Sequence, residues 1–511
     1  MQKISIYIKK YIPYVLGVDL LVSCEQDAIE GPEPAAPLPA LSAGSLDLSK
    51  YVSLGNSLTA GYTDGALFKA SQQMSMPYLL AQKFAKAGGG TFSQPMMNDN
   101  NGGLLLAGNM IAGPRLFFNG AGPASLLTAN PAATPTTDIA TNNPSGPFNN
   151  MGVPGAKSYH LLAPGYGNIG NVALGLANPY FVRMASSPNA SVLADAMAQA
   201  PTFFSLWIGN NDALGYATTG GDGTNPLTPI SGAPGAGFDG TYGALIATLT
   251  AGGAKGVVAN IPYVTSIPHF TTVPHNPVPL DAATAGAVNA AYAAYNGGLQ
   301  AAYQALQGTG LLSADEVAKR TISFSAGAGN AVVIVDESLT DLGAINPAFA
   351  ALPKYRQATA EDLLVLPASA FIGTLAVPGN PLTVNGVAVP LADKWVLTPQ
   401  EQAEIKTAID GYNNIIKASA TAAGLAHFDA NAYMQQLASG GITDGKFTVT
   451  SSLVTGGVFS LDGVHPNPRG YALLSNLMMK TLDATFSSNF EASGNLLDIG
   501  DYPTNFSPAM Q

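Results

Sequence analysis

Charged side chains are scarce in this chain. Asp, Glu, Lys and Arg together make up 10% of its 511 residues, against about 25% in an average domain. The charge that is present leans acidic, with a formal net value of −11. A nucleic-acid partner needs a basic footprint to displace counterions, so that class is excluded. Cysteine is scarcer still: Cys24 stands alone, and one cysteine cannot build a disulfide framework. No His, Cys, Asp or Glu residues fall at metal-ligand spacing, and no Gly-x-x-x-x-Gly-Lys-Ser/Thr loop is there to cradle phosphate. No cofactor is therefore expected. The mostly apolar run from Tyr11 to Leu21 is too short for an ordinary membrane span. Internal repeats are absent. What the chain does have is a hydrophobic content of 47%, enough for a large core, and 57 Gly with 37 Pro, which imply long ordered loops.

The amino terminus has a pattern of its own. Lys3, Lys9 and Lys10 precede the apolar run, and Leu21-Val22-Ser23-Cys24 follows it. A basic segment, a short apolar segment and a small residue before a cut describe a secretory signal. Leu-Val-Ser-Cys also resembles a bacterial lipobox, in which Cys24 becomes the lipidated first residue of the mature protein. The plainer alternative is a signal peptide with an incidental cysteine. Glu25, not Asp, follows the cysteine. By resemblance to Gram-negative lipoproteins this implies an outer-membrane lipoprotein, periplasmic or surface-exposed, anchored by buried acyl methylenes. Residues 25–46 are rich in Pro, Ala and acid, as a tether would be.

Beyond the tether, buried strands are expected where apolar runs end in turn residues. Tyr51 to Leu54 runs into Gly55-Asn56-Ser57. Thr202 to Ile208 runs into Gly209-Asn210-Asn211-Asp212. Lys255 to Ile261 ends at Pro262, and Leu425 to Phe428 reads as the last core strand. Helical spacing links Phe238, Tyr242, Leu245, Ile246 and Leu249, and again Val288, Tyr292, Tyr295, Leu299 and Tyr303 within 282–306. Thr398-Pro399-Gln400-Glu401 is a capping box with Pro at the first helical position, and Asn467-Pro468 caps a final helix. Strand, loop, helix, strand implies parallel pairing and a three-layer α/β/α domain with about five strands. Stretches 64–148 and 263–400 read as loop-rich insertions, Val332 to Val335 as a strand and 373–397 as a small hairpin. The expected organisation is a signal peptide over 1–23, a lipidated tether over 24–46 and one folded domain over 47–511.

Four blocks then fall at strand ends or on loops beside them: Ser57, Gly155, Asn211, and Asp462 with His465. Each alone is ordinary, since most Gly-x-Ser triplets and post-strand Asn residues are turns or caps. Together they meet the needs of acyl transfer. A serine needs a base to become a nucleophile, and His is the usual one. The His needs a carboxylate to fix its tautomer, and an Asp three residues earlier on the same loop can reach its other ring nitrogen. The oxyanion needs donors, for which a backbone N–H at a glycine and an Asn amide are suited. His160, His269, His275 and His427 lack such an Asp and read as structural or surface residues. Trp207 reads as core, while Tyr62 and Phe68 are candidates for a pocket or for packing. Thr59 stands where a Gly-x-Ser-x-Gly elbow would have its second glycine, which argues against that motif.

In this order the blocks resemble the SGNH/GDSL esterase and lipase superfamily. Gly55-Asn56-Ser57-Leu58 is similar to its Gly-Asp-Ser-Leu block, with Asn56 where Asp is usual. Gly155 matches the second-block glycine, Gly209-Asn210-Asn211-Asp212 matches Gly-x-Asn-Asp, and Asp462-Gly463-Val464-His465 matches Asp-x-x-His. The resemblance implies a flavodoxin-like α/β/α fold, Ser57 as nucleophile, His465 as base and Asp462 as its orienting acid. It implies an oxyanion hole made by the Ser57 N–H, the Gly155 N–H and the Asn211 side chain. The expected activity is hydrolysis of a carboxylic ester, lipid or acylated glycan, through an acyl-enzyme, by a monomer. The alternatives are a carbohydrate O-acetylesterase and a non-catalytic surface lipoprotein that binds glycan or protein.

Overall fold

The computed structural model describes residues 37–510; Cys24 and the signal segment lie outside them. Five parallel strands form the central sheet: β1 (Tyr51–Gly55), β2 (Asn150–Gly152), β3 (Phe203–Trp207), β4 (Lys255–Ala259) and β5 (Ala426–Phe428), in the order β5-β4-β3-β1-β2. Every residue of β1 and β3 is buried, because helices cover both faces and leave no side of the strand to water. Two serines inside these strands are accommodated by pairing. Ser205 Oγ donates to Ser53 Oγ at 2.8 Å, and the Tyr51 hydroxyl joins the chain at 2.7 Å.

The chain runs from β1 outward to β2, then back past β1 to β3. The segments leaving the carboxyl ends of β1 and β3 therefore diverge, and in open α/β sheets that point is the ligand crevice. The register fixes what meets there. Gly55 pairs with Gly152 on one side and with Trp207 on the other, so the turns after β1, β2 and β3 emerge together.

Helices Phe238–Thr250 and Pro399–Ala423 pack on each other, as do Met76–Lys86 and Pro468–Phe486. The capping box of the long helix forms, with the Thr398 N–H donating to Glu401 Oε2 at 2.7 Å, and Gly424 ends the helix at a φ of +63°. The final helix starts at Asn467, whose side chain accepts from the Gly470 N–H at 2.9 Å. Its buried Tyr471, Met479 and Leu482 each contribute roughly 1.5–3 kcal/mol of burial.

One stretch differs from its reading as loops, and a second carries its expected helix and strand. Within 64–148, Met76–Lys86 is a helix of the main core, with Met76, Leu79, Leu80 and Phe84 buried on one face. Within 263–400, helix Ala282–Ala305 packs on a second apolar cluster that includes Val333, Ile334 and Leu391. Val333–Val335 pairs antiparallel with Tyr355–Gln357. The expected hairpin over 373–397 is reduced to an antiparallel Leu375–Val384 bridge and an Asn385–Val389 bridge, and Val396–Leu397 pairs instead with Leu363–Leu364. Arg356 anchors this region. It donates both Nη atoms to Asp362 at 2.6 Å and its Nε to Asp336, all three residues being nearly fully buried. Removing one partner of such a set strands the other charges. Arg356→Met is expected to lose about 3–5 kcal/mol of stability, read as a fall in the denaturant midpoint; an unchanged midpoint would contradict this.

Candidate active site

β1 ends at a glycine because nothing larger fits. A Cβ on Gly55 would lie 2.4 Å from the Trp207 carbonyl oxygen and 2.1 Å from Thr59 Oγ1. The chain then turns into a short helix, Ser57–Ala60, capped by Asn56. Asn56 Oδ1 accepts from the Leu58 N–H at 3.0 Å, and its amide donates to Asn210 Oδ1 at 3.2 Å. Only the cap acceptor is common to Asn and Asp; the amide adds a link to the β3 turn. Asn at this position is thereby explained.

Ser57 is 7% exposed. Its Oγ lies 2.8 Å from His465 Nε2, and His465 Nδ1 lies 2.9 Å from Asp462 Oδ2. The loop that carries the last two is tightly shaped. The Ser460 N–H donates to the His465 carbonyl at 2.8 Å, and Gly463 sits at a φ of +71°, where a glycine is favoured. Asp462 accepts from the N–H groups of Val464 and His465, from the Ser460 hydroxyl, and from the Gly65 N–H of the nucleophile segment at 2.8 Å. Burial alone would raise this carboxyl. The His465 imidazole and the hydrogen bonds it receives outweigh burial and hold it well below the usual carboxylate range. Tyr62 packs its ring 4.7 Å from that of His465.

The turns after β2 and β3 complete the site. The Val153 N–H donates to the Gly55 carbonyl at 3.0 Å, placing the 153–156 turn beside the nucleophile. Gly155 is exposed at a φ of +81°. Asn211 Nδ2 donates to the Ala156 carbonyl at 2.9 Å, which fixes the amide and leaves its second N–H unused. Asp212 accepts from the Ser158 N–H and hydroxyl, at 2.8 and 2.6 Å, and so ties the same two turns. Among the described residues, neither the Ser57 N–H nor the Gly155 N–H has a protein acceptor. Ser57, Gly155, Asn211, Asp462 and His465 thus all sit at one sheet edge. A hydroxyl beside an imidazole, the imidazole on a carboxylate, and uncommitted N–H donors are the parts of an acyl-transfer centre.

The remaining candidates take no part in this hydrogen-bonded chain. Phe68 is fully buried against Phe506. Trp207 is core, with its indole N–H on the Asn260 carbonyl at 3.1 Å. His160 accepts from the Lys157 N–H, stacks on Tyr166, and is pushed down to about 4 by burial and by Lys157. Glu337, Asp393 and Glu401 bring carboxylate oxygens within 4.8 Å of one another, which their sequence spacing hides. Burial, with the neighbouring carboxylates, pushes Asp393 up to about 8 and Glu401 up to about 7.

No family profile and no curated protein matches this chain. Among solved structures, an extracellular lipase from Streptomyces rimosus aligns over 86% of this chain and 99% of its own, at 13% identity and a TM-score of 0.27. A likeness at that score does not bear on function.

Asp64 is a member of the site that the motifs do not announce. It is 1% exposed and accepts from the Leu461 N–H at 3.0 Å, joining the nucleophile segment to the Asp462 loop. Burial pushes its carboxyl up to about 7; the Leu461 N–H opposes and Asp462 adds. An acid with a raised folded-state pKa holds its proton more tightly when folded, so its contribution is complete below about pH 4 and is lost as pH rises toward 7. Asp64→Asn keeps the acceptor and tolerates the φ of +52°. It is expected to flatten the fall in melting temperature between pH 5 and pH 7; an unchanged slope would contradict this role.

Proposed function

We infer that this protein is a serine hydrolase of carboxylic esters of the SGNH/GDSL type. The observation that carries the inference is the unbroken hydrogen-bonded chain from Ser57 Oγ through the His465 ring to Asp462, at 2.8 and 2.9 Å. His465 Nε2 takes the hydroxyl proton as Oγ attacks the ester carbonyl. The Ser57 and Gly155 N–H groups and the Asn211 amide receive the oxyanion. The intermediate collapses, the C–O bond to the alcohol breaks, and His465 returns the proton to the departing oxygen. Water then repeats the sequence on the acyl-enzyme and releases the acid. Asp462 stays ionised throughout and stabilises the imidazolium. A purely binding role would leave the aligned hydroxyl, imidazole and carboxylate without a purpose.

Ser57→Ala is expected to lower turnover of p-nitrophenyl butyrate by several orders of magnitude and to abolish labelling by a fluorophosphonate probe. Retained turnover in that variant would overturn the assignment. Asn211→Ala is expected to reduce kcat by roughly 10²–10³ with little change in KM, as for other oxyanion donors; an effect confined to KM would rule that role out.

A further inference from the structure

Beside Ser57 opens a cavity, with about 880 Å³ of empty space in and in front of it, open solvent included. Asn56, Ser57, Asn210, Asn211 and His465 meet at one end, and Tyr433 of helix Ala430–Ser439 adds a further hydroxyl to the lining. From there it runs between helix Ala430–Ser439 and the final helix, walled by Leu437, Ile442, Val458, Leu473 and Leu477. Among the described residues, no Asp, Glu, Lys or Arg lines it. Along the final helix the lining extends from Gly470 to Leu477, or about 10 Å at 1.5 Å per residue.

We propose that this cavity binds the acyl half of the substrate, and that the acyl group is a straight alkyl chain of medium to long length. The proposal rests on the ester-hydrolase reading and narrows it. A sugar on that side of the ester would have to give up its water, and beyond the catalytic end the walls offer the Tyr433 hydroxyl and otherwise mostly apolar side chains in exchange. An acetyl group would leave most of the apolar wall without a partner. A linear alkyl chain fills an uncharged, largely apolar space at little polar cost. The acyl half also stays attached to Ser57 after the alcohol has left, so it needs a seat for both steps.

The experiment measures kcat/KM for p-nitrophenyl esters from acetate to decanoate below their micellar concentrations, and for acetate esters of butanol to decanol. In the acyl series kcat/KM is expected to rise about fourfold per added methylene, the value of burying one CH₂, until the cavity is full. The alcohol series is expected to stay flat. Leu437 is half-buried on the cavity wall, and Leu437→Trp is expected to lower the octanoate-to-acetate ratio of kcat/KM at least tenfold. Fluorophosphonate labelling of Ser57 checks that this variant is folded; if it is not, the wild-type series decides alone. Cleavage that favours acetate, a rise confined to the alcohol series, or an unchanged ratio in a labelled Leu437→Trp would overturn the acyl assignment while leaving the ester-hydrolase reading in place. Absence of both labelling and turnover in the wild-type protein would overturn both.

Discussion

A carboxylate largely withdrawn from water has to be surrounded by donors, and the arrangement of this molecule follows from how Asp462 meets that demand. Its two oxygens take the backbone N–H groups of Val464 and His465, the Ser460 hydroxyl, the Gly65 N–H and His465 Nδ1. The local donors fold residues 460–465 into one shape, and the Gly65 donor fastens that loop to the segment carrying Ser57. Asp64 adds a second fastening through the Leu461 N–H. An ion held this way orients the imidazole and keeps it from turning, which matters because His465 and Ser57 are 408 residues apart in sequence and no local element relates them.

The sheet supplies the other half of the geometry. Because β1 is flanked by β2 and β3 in register, three turns leave the sheet side by side, and each contributes one kind of group. The turn after β1 brings the hydroxyl and the turn after β2 a free N–H. The turn after β3 brings an amide steered by the Ala156 carbonyl. The apolar cavity then follows from what comes after β5 and after His465, two helices that part enough to leave room between Leu437 and Leu477. The hydrogen-bonded chain thus draws on both ends of the sequence, and the cavity meets it at Ser57, Asn211 and His465.

Much of this was legible in the sequence. Strands buried on both faces need unbroken apolar runs, so β1, β3, β4 and β5 could be read within a residue or two. The helix over Ala282–Ala305 and the caps at Thr398 and Asn467 could be read as well. The residues gathered at the sheet edge were legible because few residue types can do acyl transfer and they stand in a recognisable order. The helix Met76–Lys86 was hidden by the Gly- and Asn-rich segments around it, and β2 by its length of three residues. Asp64 and the buried Arg356 set could not be found because their meaning lies in partners far along the chain. The cavity was hidden for a different reason: Leu437, Ile442, Val458 and Leu477 are the residues any core would use, and only their failure to close on one another makes a site.

The central claim is that Ser57 becomes covalently acylated during turnover. Intact-protein and peptide mass spectrometry of the enzyme, acid-quenched within milliseconds of mixing with excess p-nitrophenyl octanoate, tests it directly. The account predicts a mass increase of one octanoyl group per chain, located on the peptide containing Ser57 and disappearing as substrate is exhausted. Steady hydrolysis with no adduct on Ser57, or with the adduct on another residue, would contradict it.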